Sequence, residues 1–286
     1  MLLSIAGHTI SLEAERPVLR LPGNYAPFLT ENGEGQAPLA EVRLAKGPRP
    51  AHCESVYERR EPGEAWLRFG RREGGWLVRI APPGSEETAG QLWANEDFSS
   101  SSLALSGKAS KLALDTALMI IFAMAAAPKR TLLLHASAVS LRGKGYAFLG
   151  RSGTGKSTHS RLWLESFPGS SLLNDDNPII RITSSGARIY GSPWSGKTPC
   201  WKNESWPLGG IVRLFQAPEN SIARNSLLEA YASLAGSVSG LREALGVGEG
   251  LHESLSNLSS SVPFWTLRCT PEPEAALLCG KTIAGL

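Results

Sequence analysis

The run Gly150-Arg151-Ser152-Gly153-Thr154-Gly155-Lys156-Ser157 constrains this chain more than any other stretch. It completes the pattern G-x-x-x-x-G-K-S. Before it, Gly145-Tyr146-Ala147-Phe148-Leu149 reads as a buried strand; after it, Thr158-His159-Ser160-Arg161-Leu162-Trp163-Leu164 reads as the first turns of a helix. Strand, loop and helix in that order are the context that separates a phosphate loop from a chance glycine-rich turn. The glycines let successive backbone N–H groups curl around phosphate oxygens, and the helix N-terminus adds partial positive charge. Lys156 is expected to reach the β- and γ-phosphates of ATP, and the Ser157 hydroxyl to bind Mg²⁺. Gly150, Ser152, Gly153, Thr154, Gly155, Lys156, Ser157 and Thr158 are thus the expected nucleotide contacts.

Downstream, Ser171-Leu172-Leu173-Asn174 reads as a short strand that ends in Asp175-Asp176. Such a strand delivers carboxylates to the C-terminal edge of the sheet, where open α/β sheets bind ligands. One carboxylate can hold the metal while its neighbour accepts a proton from an attacking hydroxyl. The same Asn-Asp-Asp-Asn-Pro residues are also good turn formers, so a solvated turn is the competing reading.

Three segments together resemble a known family. Leu132-Leu133-Leu134-His135-Ala136-Ser137-Ala138-Val139, the loop at 150–158 and Leu173-Asn174-Asp175-Asp176 look like the catalytic half of HPr kinase/phosphorylase. The nearer likeness is to the HPr-kinase-like proteins of bacterial peptide-modification clusters. Tyr190-Gly191-Ser192-Pro193-Trp194-Ser195-Gly196-Lys197 also looks like these relatives. The likeness covers roughly residues 130 to 286. It implies a P-loop domain of the phosphoenolpyruvate-carboxykinase-like fold, with a mixed sheet flanked by helices. It implies that His135 lies near the nucleotide phosphates, that Asp175 is the general base and that Asp176 stands on the metal side; the two aspartates are exchangeable in these roles. The relatives' Arg-Gly-rich loop for exchange with HPr has no counterpart here, which leaves HPr as substrate and the reverse phosphorylase reaction open. Relatives assemble as hexamers, so a homo-oligomer is open as well.

The chain has 286 residues, enough for one large or two modest domains. A formal charge of +3 and no basic run interleaved with aromatics speak against nucleic acid or an acidic membrane as partner. Cys53, Cys200, Cys269 and Cys279 form no C-x-x-C pair and no zinc pattern with the five histidines, and are expected as free thiols. Met1–His8 lacks a basic n-region. The apolar stretch from Leu112 to Ala127 carries Asp115, is stopped by Pro128 and falls below the roughly 20 residues that span a bilayer. It is expected as a core helix on the catalytic sheet, in a cytoplasmic protein.

The fold class expected is α/β, α+β overall: a β-rich N-terminal domain at 1–107, then a P-loop kinase domain at 108–286. Strands are expected at Leu2–Ala6, Leu39–Leu44, Glu54–Arg59, Ala65–Gly70, Trp76–Ile80 and Gln91–Ala94, with an exposed loop at Asn32–Gln36 and a linker or strand edge at Ser99–Ser102. Later come a hairpin from Pro178–Ile182 and Ala187–Tyr190, a central strand Gly210–Phe215, helices Ser226–Ala235 and Leu251–Leu258, a strand Pro263–Arg268 and a closing helix Glu272–Ile283.

Lys197 reads equally as a phosphate or substrate ligand and as a solvated loop lysine. Arg213 interrupts an apolar strand and needs a partner, either a phosphate or an acid. Trp194, Trp201 and Trp206 are candidates for a peptide groove or for core; His159 is expected to be structural, and Arg151 to flank phosphate. The leading function is an ATP- and Mg-dependent kinase acting on a seryl or threonyl hydroxyl of a peptide, small protein or small molecule. A carboxykinase-type enzyme is an alternative; it needs an arginine cluster, and none is evident in the sequence. A nucleotide-binding regulator without turnover is the third reading.

Overall fold

Short alternating strands dominate the first third of the chain because turn residues recur between them every few positions. The computed structural model describes residues 1–14, 21–31, 37–45 and 53–285; the Asn32–Gln36 loop lies outside them. The described residues form a mixed α/β fold with two mixed sheets and few helices. They divide into two compact units, Met1–Lys129 with Gly240–Gly248, and Arg130–Ser239 with Glu249–Leu286.

The first unit holds β1 (Leu2–Ile5), β2 (His8–Ala14), β3 (Leu29–Thr30), β4 (Ala40–Ala45), β5 (Glu54–Arg59), β6 (Trp66–Arg72), β7 (Gly75–Ala81), β8 (Gly90–Asn95) and β9 (Ser100–Leu105). Their order across the sheet is β3-β1-β2-β4-β9-β8-β7-β6-β5. Only β2/β4 and β4/β9 run parallel. Ser99–Ser102, expected as a linker or strand edge, opens the interior strand β9, and His8–Ala14 adds a strand the sequence reading lacks. Four consecutive serines, which carry no apolar alternation, obscured the start of β9.

Helix α1 (Ser110–Ala126) corrects two expectations. It belongs to the first unit and packs on β7, β8 and β9, not on the P-loop sheet. The boundary between units therefore falls at Lys129, well past 107. Gly90 permits the close seat, since a Cβ there would stand 2.7 Å from the Ala113 Cβ. A 3₁₀ turn extends the helical run to Lys129, so at 20 residues it is long and apolar enough to cross a bilayer; 72% of it is buried inside the protein. Asp115 is tied down by Tyr25 Oη and Asn24 Nδ2 at 2.7 and 2.9 Å.

The second unit holds β10 (Thr131–Leu133), β11 (Ala136–Leu141), β12 (Lys144–Leu149), α2 (Lys156–Ser166), β13 (Ser171–Asp176), β14 (Ile179–Thr183), β15 (Gly186–Tyr190), β16 (Ser205–Gln216), β17 (Ser221–Arg224), α3 (Leu227–Ala235), α4 (Val247–Ser261, which starts in the first unit), β18 (Phe264–Cys269) and α5 (Pro273–Ala284). The strand order is β10-β14-β15-β16-β12-β11-β13, with β18 pairing β16 and β17. Residues 145–149 of β12 are all buried, as a strand covered on both faces requires. Between the sheet and helices α2 and α5 lies a core of Val139, Phe148, Trp163, Val212, Leu267 and Cys279. Trp163 anchors it, with ring centroids 5.3 Å from Phe148 and 5.1 Å from Phe167. Capping is local and legible: Ser226 and Glu229 form a reciprocal capping box at α3, and Pro273 opens α5.

Strand direction positions the site. β11 runs antiparallel to both β12 and β13, so β12 and β13 point the same way. Ala136 faces Leu149 on one side and Asp176 on the other. The end of β12, the start of β11 and the end of β13 therefore meet at one sheet edge.

Candidate active site

The P-loop begins where β12 leaves the sheet. Gly153 and Gly155 adopt φ of +80° and +102°, the left-handed region that L side chains rarely occupy. Nothing lies within 4 Å of where a Cβ would stand at either glycine, so the space in front of the loop is open. Gly155 is the residue before α2, whose first backbone N–H groups have no side-chain cap at that residue. Arg151, Ser152 and Ser157 are exposed, and Thr158 is half-buried. Gln216, absent from the sequence reading, donates from Nε2 to the Gly153 carbonyl at 3.2 Å and ties the loop to the end of β16.

Lys156 folds back over the loop. Its buried ammonium donates to the Gly150 carbonyl at 3.0 Å and meets His135 Nε2 at 2.9 Å. His135 Nδ1 lies 3.0 Å from Asp176 Oδ1. Together the two contacts define the tautomer: Nδ1–H donates to the carboxylate, and the Nε2 lone pair accepts from the ammonium. The backbone N–H of His135 is held by the Ser237 carbonyl at 2.7 Å. The imidazole thus links Lys156 to Asp176. His135 lies between β10 and β11, half-exposed.

Asp175 is buried and faces a different neighbourhood. Ser137 sits opposite it in the β11/β13 register, and Ser137 Oγ lies 3.2 Å from Asp175 Oδ1. Ser160 of α2 continues the chain, with its Oγ 2.6 Å from that of Ser137. Both serines are buried. Asp175 Oδ2 is buried too, and has no hydrogen-bond partner among the described residues. An unsatisfied carboxylate oxygen is costly, on the order of 1–3 kcal/mol or more.

Asn174 holds the pair in place. Its Nδ2 donates to Ser192 Oγ and the Trp194 carbonyl, each at 3.1 Å, while its Oδ1 accepts from the N–H groups of Asp176 and Asn177. The loop between β15 and β16 is thereby pinned beside the acids. Gly196 N–H donates to the Asp175 carbonyl at 3.2 Å, and a Cβ on Gly196 would stand 2.6 Å from that oxygen. Ser137, Ser160, Asn174, Gly196 and Gln216 all escaped the sequence reading. Ser137, Asn174 and Gly196 lie in the segments that carry the resemblance but had no role assigned; the register of β11 and β13 sets Ser137 against Asp175, α2 adds Ser160, the loop after β15 adds Gly196, and Gln216 contacts the glycine loop rather than the acids.

Other candidates separate. Lys197 is exposed on the same loop, and Trp194 is buried while Trp201 stays exposed. His159 is structural: it accepts from Trp163 Nε1 at 3.1 Å beside the Phe148 ring, and burial pushes its pKa down to about 4. All four cysteines are free thiols. Next to the loop opens a cleft of about 610 Å³, lined by Gly155, Thr158, Leu162, Leu214, Cys269 and Thr270 among others.

No family model matches the chain, and no curated protein matches it.

Proposed function

We propose that this protein is an ATP- and Mg²⁺-dependent kinase that transfers the γ-phosphate to a seryl or threonyl hydroxyl, on a P-loop domain of the phosphoenolpyruvate-carboxykinase-like fold. The observation that carries the reading is Asp175 Oδ2, a buried carboxylate oxygen with no partner at the sheet edge where the P-loop begins. A structural aspartate would have both oxygens satisfied. A general base keeps one free for the proton that it takes. The resemblance to HPr-kinase-like proteins points to the same residue.

The donor set fits the nucleotide. The open glycine cradle and the first turn of α2 offer N–H groups to phosphate oxygens. The cleft beside the loop falls within the range of about 300–1,000 Å³ of small-molecule sites, and suits a nucleoside. Among the described residues no group of three or more His, Cys, Asp or Glu is placed to hold a metal. Mg²⁺ with a nucleotide needs only one or two protein groups, because phosphate oxygens and waters complete its shell. Ser157 is exposed at the loop, and Asp176 retains lone pairs beyond those used by His135 and Asn177. Bound Mg²⁺ would neutralise charge developing on the transferred group.

The chain's own residues then divide the work. Lys156 leaves Gly150 and His135 for the phosphates. His135 stays held by Asp176 through Nδ1 when Lys156 leaves. Asp175 takes the hydroxyl proton as that oxygen attacks the γ-phosphorus and the bond from phosphorus to the bridging β-phosphate oxygen breaks, with ADP leaving; the Ser160–Ser137 hydroxyl chain stabilises Asp175 Oδ1. In a radiolabelled-ATP transfer assay against small proteins and precursor peptides encoded beside this gene, the wild type labels an acceptor. Asp175→Asn lowers that transfer by roughly 10²–10⁴-fold. Unchanged transfer by Asp175→Asn would remove it as the base.

A further inference from the structure

We infer that Arg213 and Arg268 form an anion-binding subsite around Phe215, with Arg151 of the adjoining P-loop beside it, that takes a phosphate or carboxylate group of the acceptor. The acceptor assignment rests on the kinase reading above; the anion subsite does not.

Strand pairing assembles the cluster from three distant segments. Arg213 lies opposite Leu149, the last residue before the P-loop, and Phe215 lies opposite Arg268. Arg213 and Phe215 are two residues apart on β16, so all three side chains leave the same face of the sheet. That face is not the one buried under α2 and α5, where the alternate residues Val212, Leu214 and Leu267 sit. The guanidinium carbons of Arg213 and Arg268 stand 5.7 and 5.5 Å from the Phe215 ring centroid, within cation–π range. Phe215 itself is 42% exposed.

The charges are uncompensated. Among the described residues, none of the three guanidiniums pairs with a carboxylate. Arg213 donates only from Nη1, to the Ser233 carbonyl at 3.3 Å and Ser237 Oγ at 3.4 Å. These long bonds leave most of its five N–H donors unused. Burial, and then the Arg151 guanidinium nearby, push its pKa below the ordinary arginine value. Gathering like charges in a half-buried position is unfavourable unless an anion sits among them. Ser237 also fixes the location: its carbonyl holds the His135 backbone while its hydroxyl meets Arg213, so the cluster adjoins the phosphate side of the site. Arginine forks match phosphate and carboxylate geometry in pairs.

The test uses the full chain carrying Lys156→Ala, which disables the P-loop as an anion site. Inorganic phosphate and malonate are titrated by calorimetry in separate arms. At least one is expected to bind, and Arg213→Gln with Arg268→Gln in that background should weaken it by at least about tenfold, the mark of lost charge-assisted bonds. Tighter phosphate identifies a phosphorylated acceptor, and tighter malonate a carboxylated one. Arg213→Lys and Arg268→Lys, which keep charge but lose the fork, should fall between. Equal binding with and without the two arginines, in variants of unchanged circular dichroism, or no binding of either anion, overturns the inference. Mg-ADP titration of the wild type tests the nucleotide reading separately, so failure of one is distinct from failure of the other.

Discussion

Asp175 and Asp176 are neighbours in sequence with opposite situations. Asp176 is half-exposed and engaged through both oxygens, with His135 and Asn177; Asp175 is buried with one oxygen idle. Adjacent strand residues point to opposite sides, which gives the two acids different surroundings. A residue kept for chemistry at the expense of stability has a recognisable signature. Asp175→Asn removes a buried charge, keeps an acceptor for Ser137 and should leave the Tm at or above that of the wild type while transfer falls. A lower Tm in thermal unfolding would mark Asp175 as structural. Gly196→Ala tests the loop above it. The new Cβ meets the Asp175 carbonyl and must displace the loop, a clash worth about 1–3 kcal/mol. Its Tm should fall and transfer should fall with it, while Mg-ADP affinity stays within about twofold; a variant with wild-type Tm and transfer would show that the loop does not support the acids.

At the scale of elements, α2 does two jobs with its two faces. Its first turn presents the loop, and its buried face carries His159 and Trp163 into the core. His159 is held neutral there, with a pKa of about 4 against an ordinary value of about 6.5. Its folded-state pKa is depressed, so below about pH 6.5 the unfolded chain binds the proton first. The stability it contributes is complete above that pH, declines as pH falls towards 4, and changes no further below it. Between pH 7 and 5 the loss is about 2 kcal/mol. Urea unfolding should show that loss in the wild type and little of it in His159→Gln, which keeps an acceptor for Trp163. Equal pH dependence in both would place the titrating group elsewhere. The P-loop, α2 and the ends of β13 were all legible, because glycine spacing, apolar runs and capping residues are local signals. The partner of Leu134 was not, since it forms an isolated bridge to the distant Val238.

Across the whole molecule, what sequence reading lacked is what pairing between distant segments creates. β11 brings Ser137 against Asp175, and β16 with β18 bring Arg213 and Arg268 to one phenyl ring. The arginine cluster sought in the sequence and not seen there exists only in this register. Helix α1 illustrates the same limit: its composition announced burial, but which sheet it covers depends on Gly90 and its neighbours in the first unit. The mixed α/β class was readable; the joining of Gly240–Gly248 to the first unit depends on contacts between distant segments. The central claim is that the P-loop edge holds the nucleotide through Lys156 while Asp175 waits for the acceptor. Calorimetric titration of Mg-ADP into the wild type, Lys156→Ala and Asp175→Asn tests it most directly. The account predicts binding to the wild type and to Asp175→Asn within about twofold of each other, and at least about tenfold weaker binding to Lys156→Ala. Equal affinity in all three proteins, or no binding to the wild type, would contradict it.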